Sequence, residues 1–364
     1  MTSDDSQPID LDALRVRIDS LDAQLVSLLS ERAGIVEQVG QVKRTDGTPV
    51  YAPHREKAVL QRVRTLNPGP LSGRTLEAIW RELMSGSFGL EQPLTIGYLG
   101  PAGSFSHVAA LRHFGSSVDV TEADDIDAVV RSVMTGTTHY GLVPYENSIV
   151  GSITDTLDAF VEHEVGVCAE SLIEVSHCLL ANCEQSSITR LASKPQVLAQ
   201  CRKWIQRYLP QAELVPTASS AVGVELAATE PHTAAIGSRL AASIYSVNVL
   251  AEPIGDKADN ITRFLVLGRQ RPEQTGTDRT SIMFTTKHAP GALVDVLAVF
   301  RDARINLSHI DKRPSGRVNW EYTFFIDADQ HRDDPAMISA IAQATDHCVL
   351  LRVLGSYPRA GGVL

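Results

Sequence analysis

The 364-residue sequence predicts a multidomain chain: an all-α bundle, then a long α/β segment, then a ferredoxin-like βαββαβ unit. Three observations predict this. Apolar residues over the first ~90 positions recur at alternating spacings of three and four, the seam of helices that pack on helices. From Leu94 to Gly268 short β-prone runs alternate with helical runs, the pattern of parallel or mixed sheets covered by helices. From Ser281 onward the order is strand, helix, strand, strand, helix, strand. The corresponding units are residues 1–92, 93–270 and 280–358, with the polar stretch RQRPEQTGTDRT (269–280) as the last linker.

The first helix carries Leu11, Leu14, Ile18, Leu21, Leu25, Leu28, Ile35, Val39 and Val42 on its seam, with Asp10 as its N-cap. RTDGTPVYAP (44–53) breaks it. A second helix follows Pro53 with Val59, Leu60, Val63 and Leu66 on one side, and NPGPLSG (67–73) ends it. A third carries Leu76, Ile79, Trp80, Leu83 and Met84. Beyond Gln92 come LTIGYLG, VDVTEA, DDIDAVVRSVM, YGLVPYEN and ITDTLDAFVEH in strand–helix alternation. SHCLLA (176–181) sits where the chain could cross between two lobes. The last unit reads SIMFTTK, GALVDVLAVFRDAR, NLSHIDKR, VNWEYTFFIDAD, PAMISAIAQAT and CVLLRVLGSY.

A net charge of −10 argues against a nucleic-acid or membrane-surface binder, yet leaves room for a locally basic pocket. The start, MTSDDSQPIDLD, is polar and acidic, unlike a secretory leader, and no run approaches ~18 apolar residues, so a cytoplasmic chain is expected. Five cysteines, an odd number without a CxxC, suggest reduced thiols. The absence of HExxH, GxGxxG and GxxxxGK[ST] leaves metal, dinucleotide and nucleoside triphosphate chemistry without a fingerprint, so no metal and no cofactor are expected.

Polar residues interrupt the helical seams. Arg32 stands where the first seam should continue, and burying an arginine needs an anionic partner. That partner is either Glu31, Glu37 or another helix, or else a bound anion. Lys43, eleven residues on, returns to nearly the same face. The third helix lapses in the same way at Ser87 and Glu91, so polar groups of two helices converge on a pocket in the bundle. Arg15 lies seventeen residues before Arg32, roughly 26 Å along the helix and ~100° round it. If both touch one ligand they come from two subunits, so a homodimer or a dimer of dimers is expected.

LRVRIDSLDAQLVSLLSERAGIVEQVGQVK with HREKAVLQRV resembles the all-helical class of chorismate mutase over residues 9–91. The resemblance implies that Arg15, from the partner chain, and Arg32 hold the carboxylates of chorismate, with Ser87 assisting. It also implies that Lys43 donates to the ether oxygen and that Glu56, beside Arg55, accepts from the ring hydroxyl. Two positions depart from the family pattern. Ala52 replaces a frequent aspartate, and Glu91 replaces a frequent glutamine at the ether-oxygen site. A carboxylate donates only when protonated, so a protonated Glu91 would make mutase activity fall as pH rises.

In the α/β segment, GPAGSFSH (100–107) ends a strand before a helix, where amides can face an anion or simply form a turn. VPYENS (143–148) ends another strand, and NITRFLVLG opens an apolar one. Together, in this order, they resemble prephenate dehydratase over residues 94–268. The resemblance implies two α/β lobes like those of periplasmic binding proteins, with the site in the cleft. Thr262 would assist departure of the ring hydroxyl, Arg263 would pair with a substrate carboxylate, and Phe264 completes the Thr-Arg-Phe signature. Glu146, Asn147, Ser148, Ser104, Ser193 and Gln200 would form the supporting shell. Lys194 stands where the family often has histidine.

The last unit resembles the ACT family of amino-acid-binding domains. Gly291, Ala292, Leu293 and Val294 match one phenylalanine-binding motif, and Asp311, Lys312, Arg313 and Pro314 partly match the other, with Asn306 nearby. The chain is therefore expected to take chorismate and prephenate as substrates and phenylalanine as effector. A non-catalytic sensor is a second reading, and an enzyme whose mutase half is inactive is a third. A fused dehydrogenase is disfavoured by the missing dinucleotide fingerprint.

Overall fold

The computed structural model describes residues 10–315 and 321–364. The first nine residues and residues 318–320, read above as a strand start, lie outside them. Three helices open the chain: α1 (Leu11–Asp46), α2 (Pro53–Leu66) and α3 (Gly73–Glu91). Asp10 caps α1 by accepting from Asp12 N, and Gly47 ends it in the left-handed region at φ 69°. Ser72 caps α3 through Thr75 N. Gly40 lets α1 approach α3 closely, because a Cβ there would sit 2.9 Å from the Cα of Glu91.

Within one chain the seam of α1 is not covered. Leu11, Leu14, Ile18, Leu21, Leu25, Leu28, Ile35, Val39 and Val42 are all exposed. Among the described residues no helix is long and apolar enough to cross a membrane.

The dehydratase-like segment forms two lobes. The first holds β1 (Thr95–Leu99), α4 (Phe105–Phe114), β2 (Asp119–Ala123), α5 (Ile126–Thr135), β3 (Tyr140–Asn147), β4 (Gly151–Ser152), α6 (Thr154–Glu162) and β5 (Val167–Glu174). The second holds β6 (Cys178–Leu180), β7 (Arg190–Ser193), α7 (Pro195–Gln200), α8 (Arg202–Tyr208), β8 (Glu213–Pro216), α9 (Ser220–Thr229), β9 (Thr233–Gly237), α10 (Arg239–Ile244) and β10 (Val249–Ala251). The chain returns to the first lobe through β11 (Ile261–Leu267). The sheets run β2-β1-β3-β11-β5, with β4 beside β3, and β10-β6-β9-β7-β8. Both are mixed. The crossings fall at Val175–His177, where the sequence suggests one, and between β10 and β11.

The last unit is β12 (Asp278–Thr286), α11 (Ala292–Asp302), β13 (Leu307–Pro314), β14 (Tyr322–Ala328), α12 (Pro335–Asp346) and β15 (Cys348–Pro358). Its sheet, β13-β14-β12-β15, is antiparallel throughout, as the βαββαβ order requires.

The first-lobe sheet is the centre of the molecule. On one face Tyr98, Leu142, Phe264 and Val266 pack with Phe114 and with Val50 and Tyr51 from the α1–α2 turn. On the other, Val143, Tyr145, Leu265 and Leu267 pack with Met283, Phe325, Leu354 and Tyr357 of the last unit. The sequence marks Val50 and Tyr51 only as part of a break, yet they anchor the helical unit. Tyr51 is 1% exposed, its ring lies edge-on to Phe88 and Tyr140, and its hydroxyl is 2.7 Å from His113 Nε2.

Candidate active sites

In the helical unit, the close approach at Gly40 faces the polar lapses of α1 and α3 towards each other. Arg32 Nη1 donates to Ser87 Oγ at 2.9 Å, rather than to Glu31 or Glu37. About three turns further along α1 and one turn further along α3, Lys43 Nζ donates to Glu91 Oε2 at 2.7 Å and to Val50 O at 3.0 Å. Arg44 also donates to Glu91 O. The four predicted residues therefore meet as two polar pairs across one helix interface.

Glu91, expected at the ether-oxygen site, accepts from Lys43 through Oε2. The half-buried ammonium needs an acceptor, and a carboxylate one helix away supplies it. Arg15 is exposed and reaches only Asp12, consistent with a role that a single chain does not complete. Arg55 is exposed as well. Glu56 lies elsewhere, half-buried in the wall of a cavity of about 740 Å³ that also has Tyr51, Arg81, His113 and Arg359 in its walls. Burial pushes its carboxyl up to about 7, against the pull of Arg81.

In the first lobe, strand alternation decides which residues share a face. Antiparallel register sets Thr262 opposite Asn147 and Arg263 opposite Glu146. Asn147 and Thr262 face one way. Asn147 Oδ1 accepts from Ile149 N and Val150 N at 3.0 and 3.1 Å, which fixes its carboxamide. Its Nδ2 then donates to Thr262 Oγ1 at 2.9 Å and to Asn260 Oδ1 at 2.8 Å. With that nitrogen donating into Oγ1, the Thr262 proton is left to donate outward. Ser148 Oγ donates to Asp259 O at 3.0 Å and accepts from Ile261 N, so it tightens the same turn.

Arg263 and Glu146 are a correction. They point to the opposite face, into the boundary with the last unit. Arg263 donates to Glu170 at 2.8 Å, Asp327 at 2.5 Å and Tyr357 Oη at 3.0 Å, and lies over the Tyr145 ring at 5.0 Å. Glu146 lies 3.8 Å from Arg263 and 3.6 Å from His309, whose neighbourhood pulls its carboxyl below the usual range. Arg279 donates to Glu170 at 2.6 Å, and Ser281 joins Asp327 to Tyr357. Each of the three guanidinium nitrogens of Arg263 thus has a protein acceptor, which commits the group to this network rather than to a substrate carboxylate. The physical reason is its odd place in the alternation, which sends it away from Thr262. Phe264 returns to the Thr262 face but is 1% exposed in the core.

The remaining cleft residues come from several elements. Ser104 caps α4, accepting from His107 N at 3.3 Å and donating to Leu99 O at 3.0 Å. The loop before it is a structural turn rather than an anion cradle: Ala102 N goes to Glu122 and Gly103 N to His107. Gly103, at φ 81°, abuts α10 of the second lobe, where an added Cβ would fall 2.8 Å from Ala241 Cβ, and Ser238 Oγ donates to Gly103 O at 2.6 Å. Ser193 is fully buried and its hydroxyl donates to Ile236 O at 2.7 Å. Gln200 ends α7 and accepts from His177 Nε2 at 2.8 Å. The sequence reading missed His177 and the acceptors Glu170 and Asp327. A lone buried histidine and isolated acids in strands carry no spacing signal.

In the last unit Gly291 opens α11 at φ 83°, and Val294 is exposed beside it while Leu293 packs on the core. Ala292 is the first helical residue, and Asn306 donates to Asp329 at 2.8 Å. On β13, Asp311 accepts from Lys312 N and Pro314 is exposed. Arg313 is engaged elsewhere: it makes a two-pronged bridge to Asp158 of α6, 2.6 Å on each arm, because its strand edge faces the first lobe.

The chain matches the chorismate mutase type II family over residues 14–92, prephenate dehydratase over 96–272 and the ACT domain over 280–346. It is 42% identical over 362 residues to the bifunctional chorismate mutase/prephenate dehydratase of Stutzerimonas stutzeri, covering 98% of this chain and 99% of that one. The corresponding protein of Pseudomonas aeruginosa is 43% identical over 357 residues, covering 96% and 98%. A solved prephenate dehydratase from Arthrobacter aurescens, in complex with L-Phe, matches with a TM-score of 0.70 and 34% identity over 73% of this chain and 90% of that one. With both relatives matched over nearly their whole length and all three domains present in order, this chain belongs to the family of bifunctional chorismate mutase/prephenate dehydratases.

Proposed function

We propose that this chain rearranges chorismate to prephenate in residues 1–92, converts prephenate to phenylpyruvate in residues 93–270, and senses phenylalanine through residues 280–358. The observation that carries this reading is the presence of two separate polar sites in one chain. One is the facing pairs Arg32–Ser87 and Lys43–Glu91, and the other is the Asn147-held Thr262.

The mutase step needs no covalent chemistry. Arg32 and the partner's copy of the Arg15 position hold the substrate carboxylates in a compact conformer. Lys43 turns from Glu91 towards the ether oxygen, where negative charge grows as the C–O bond breaks. In the dehydratase step, Thr262 donates to the departing ring hydroxyl. The electron pair of the bond to the ring carboxylate moves into the ring as carbon dioxide leaves, and the C–O bond breaks with the hydroxyl. Asn147 keeps the Thr262 proton aimed outward.

Dimerisation is supported by the uncovered seam of α1 and by the exposure of Arg15. Phenylalanine between two ACT units is supported by the open α11 start and exposed Val294, with Arg313 reserved for Asp158. Replacing Thr262 with valine tests the assignment. Phenylpyruvate formation from prephenate should fall by at least ~10²-fold, the scale of one lost acid–base contribution, while chorismate consumption is retained. Undiminished phenylpyruvate formation would refute the role of Thr262.

A further inference from the structure

His177 is 2% exposed and sits at the crossing between lobes, between β5 and β6. Three segments meet on it: α4, the loop before β11 and α7. The ring of Phe105, next to the α4 cap, meets it edge-on at 5.4 Å. Ile254 N donates to its carbonyl at 3.0 Å, and two residues upstream Val175 N donates to Asn260 O, the residue whose side chain accepts from Asn147. Its Nε2 lies 2.8 Å from Gln200 Oε1. The backbone of Gln200 is held in turn, its carbonyl accepting from Asp256 N at 2.8 Å.

An amide oxygen only accepts, so His177 Nε2 carries the proton and donates. The other ring nitrogen, Nδ1, is buried with no partner. Burial pushes the ring's pKa below the usual histidine range, with the hydrogen bond to Gln200 acting the other way, which suits a neutral ring. A buried polar atom left unsatisfied in this way is costly and marks a site where another demand fixes the ring. That demand is the orientation of Gln200. With Oε1 held by His177, the groups the Gln200 carboxamide can offer a ligand are its two N–H donors, the arrangement that receives a carboxylate or keto oxygen.

We propose that His177 is a positioning residue of the dehydratase site: it fixes the Gln200 carboxamide so that its N–H groups bind the oxygens of the pyruvyl or ring carboxylate side of prephenate. The inference rests on the dehydratase reading and adds to it a residue that acts through Gln200. Without His177 the amide rotates, and half of its orientations present an acceptor to an anion.

The test is steady-state kinetics on prephenate with the full-length chain. His177→Leu should raise KM about tenfold, the effect of losing one hydrogen bond to a charged group, with a smaller change in kcat. His177→Gln, whose amide nitrogen can reach the Nε2 position, should restore KM to within about twofold. Gln200→Leu should raise KM as His177→Leu does. In a Gln200→Leu background, His177→Leu should then cost nothing further, because both act through one contact. Mutase turnover of the same preparations reports folding. Additive effects of the two substitutions, or a failure of His177→Gln to rescue while mutase turnover is normal, would overturn the proposal. If His177→Leu does not fold, the pair His177→Gln and Gln200→Leu still decides it, since an unchanged KM in Gln200→Leu contradicts it. A wild-type chain that does not convert prephenate at all would instead refute the dehydratase reading.

Discussion

Single side chains in this protein often serve a neighbour before they can serve a ligand. Lys43 is held by Glu91, and Arg263 is held by Glu170 and Asp327. Glu56 differs in that its surroundings favour the uncharged form, raising it to about 7 from an ordinary 4.5. The unfolded chain releases this proton near 4.5 and the folded chain only near 7. Folding is therefore unaffected by the group at low pH and is progressively penalised as pH rises through that window. Replacing Glu56 with glutamine should leave the melting temperature unchanged near pH 4 and raise it by about 2–4 °C near pH 8. Thermal unfolding followed across that range checks it, and equal shifts at both ends would count against a buried acid. The residue types at Arg32, Lys43, Ser87 and Glu91 were legible in the sequence because they break an apolar period. The fate of Arg263 was not, because which face of a strand an arginine takes depends on register, and its acceptors lie 64 and 93 residues away.

Among the elements, α1 is the one whose sequence pattern the single chain leaves unused. Its periodic leucines predict burial, yet Leu25 is 55% and Leu28 61% exposed. A helix with such a stripe needs an apolar partner, and a second copy of α1 has the matching stripe. Replacing Leu25 and Leu28 with aspartate should convert a dimer to monomer and lower mutase activity at least ~10-fold, because two charges would enter an apolar interface. Sedimentation or light scattering with parallel assays checks this. A mutant still dimeric and fully active in the mutase step would place the interface elsewhere. Periodicity made the three helices and the βαββαβ order readable. It could not reveal that the break at 44–53 holds an anchor, because Val50 and Tyr51 are buried by the first-lobe core and not by their own helices.

Across the whole molecule the first-lobe sheet joins the other two units, through Tyr51 on one face and the Arg263 network on the other. The network spans the residue after Thr262 and three strands of the ACT unit, β12, β14 and β15. Replacing Arg263 with methionine leaves Asp327 buried without its cation and Glu170 with Arg279 alone, and should cost about 3–5 kcal/mol of stability by urea unfolding. A change under ~1 kcal/mol would mean the network is not a structural joint. The sequence made the order of the three domains legible, while their docking rests on pairs far apart in the chain and had no local signal. Supplying purified protein with chorismate alone and following the products in time tests whether one chain carries both reactions. Transient prephenate followed by phenylpyruvate is the expected result. Chorismate left untouched while added prephenate is still consumed would contradict the helical site, and prephenate accumulating without phenylpyruvate would contradict the site at Thr262.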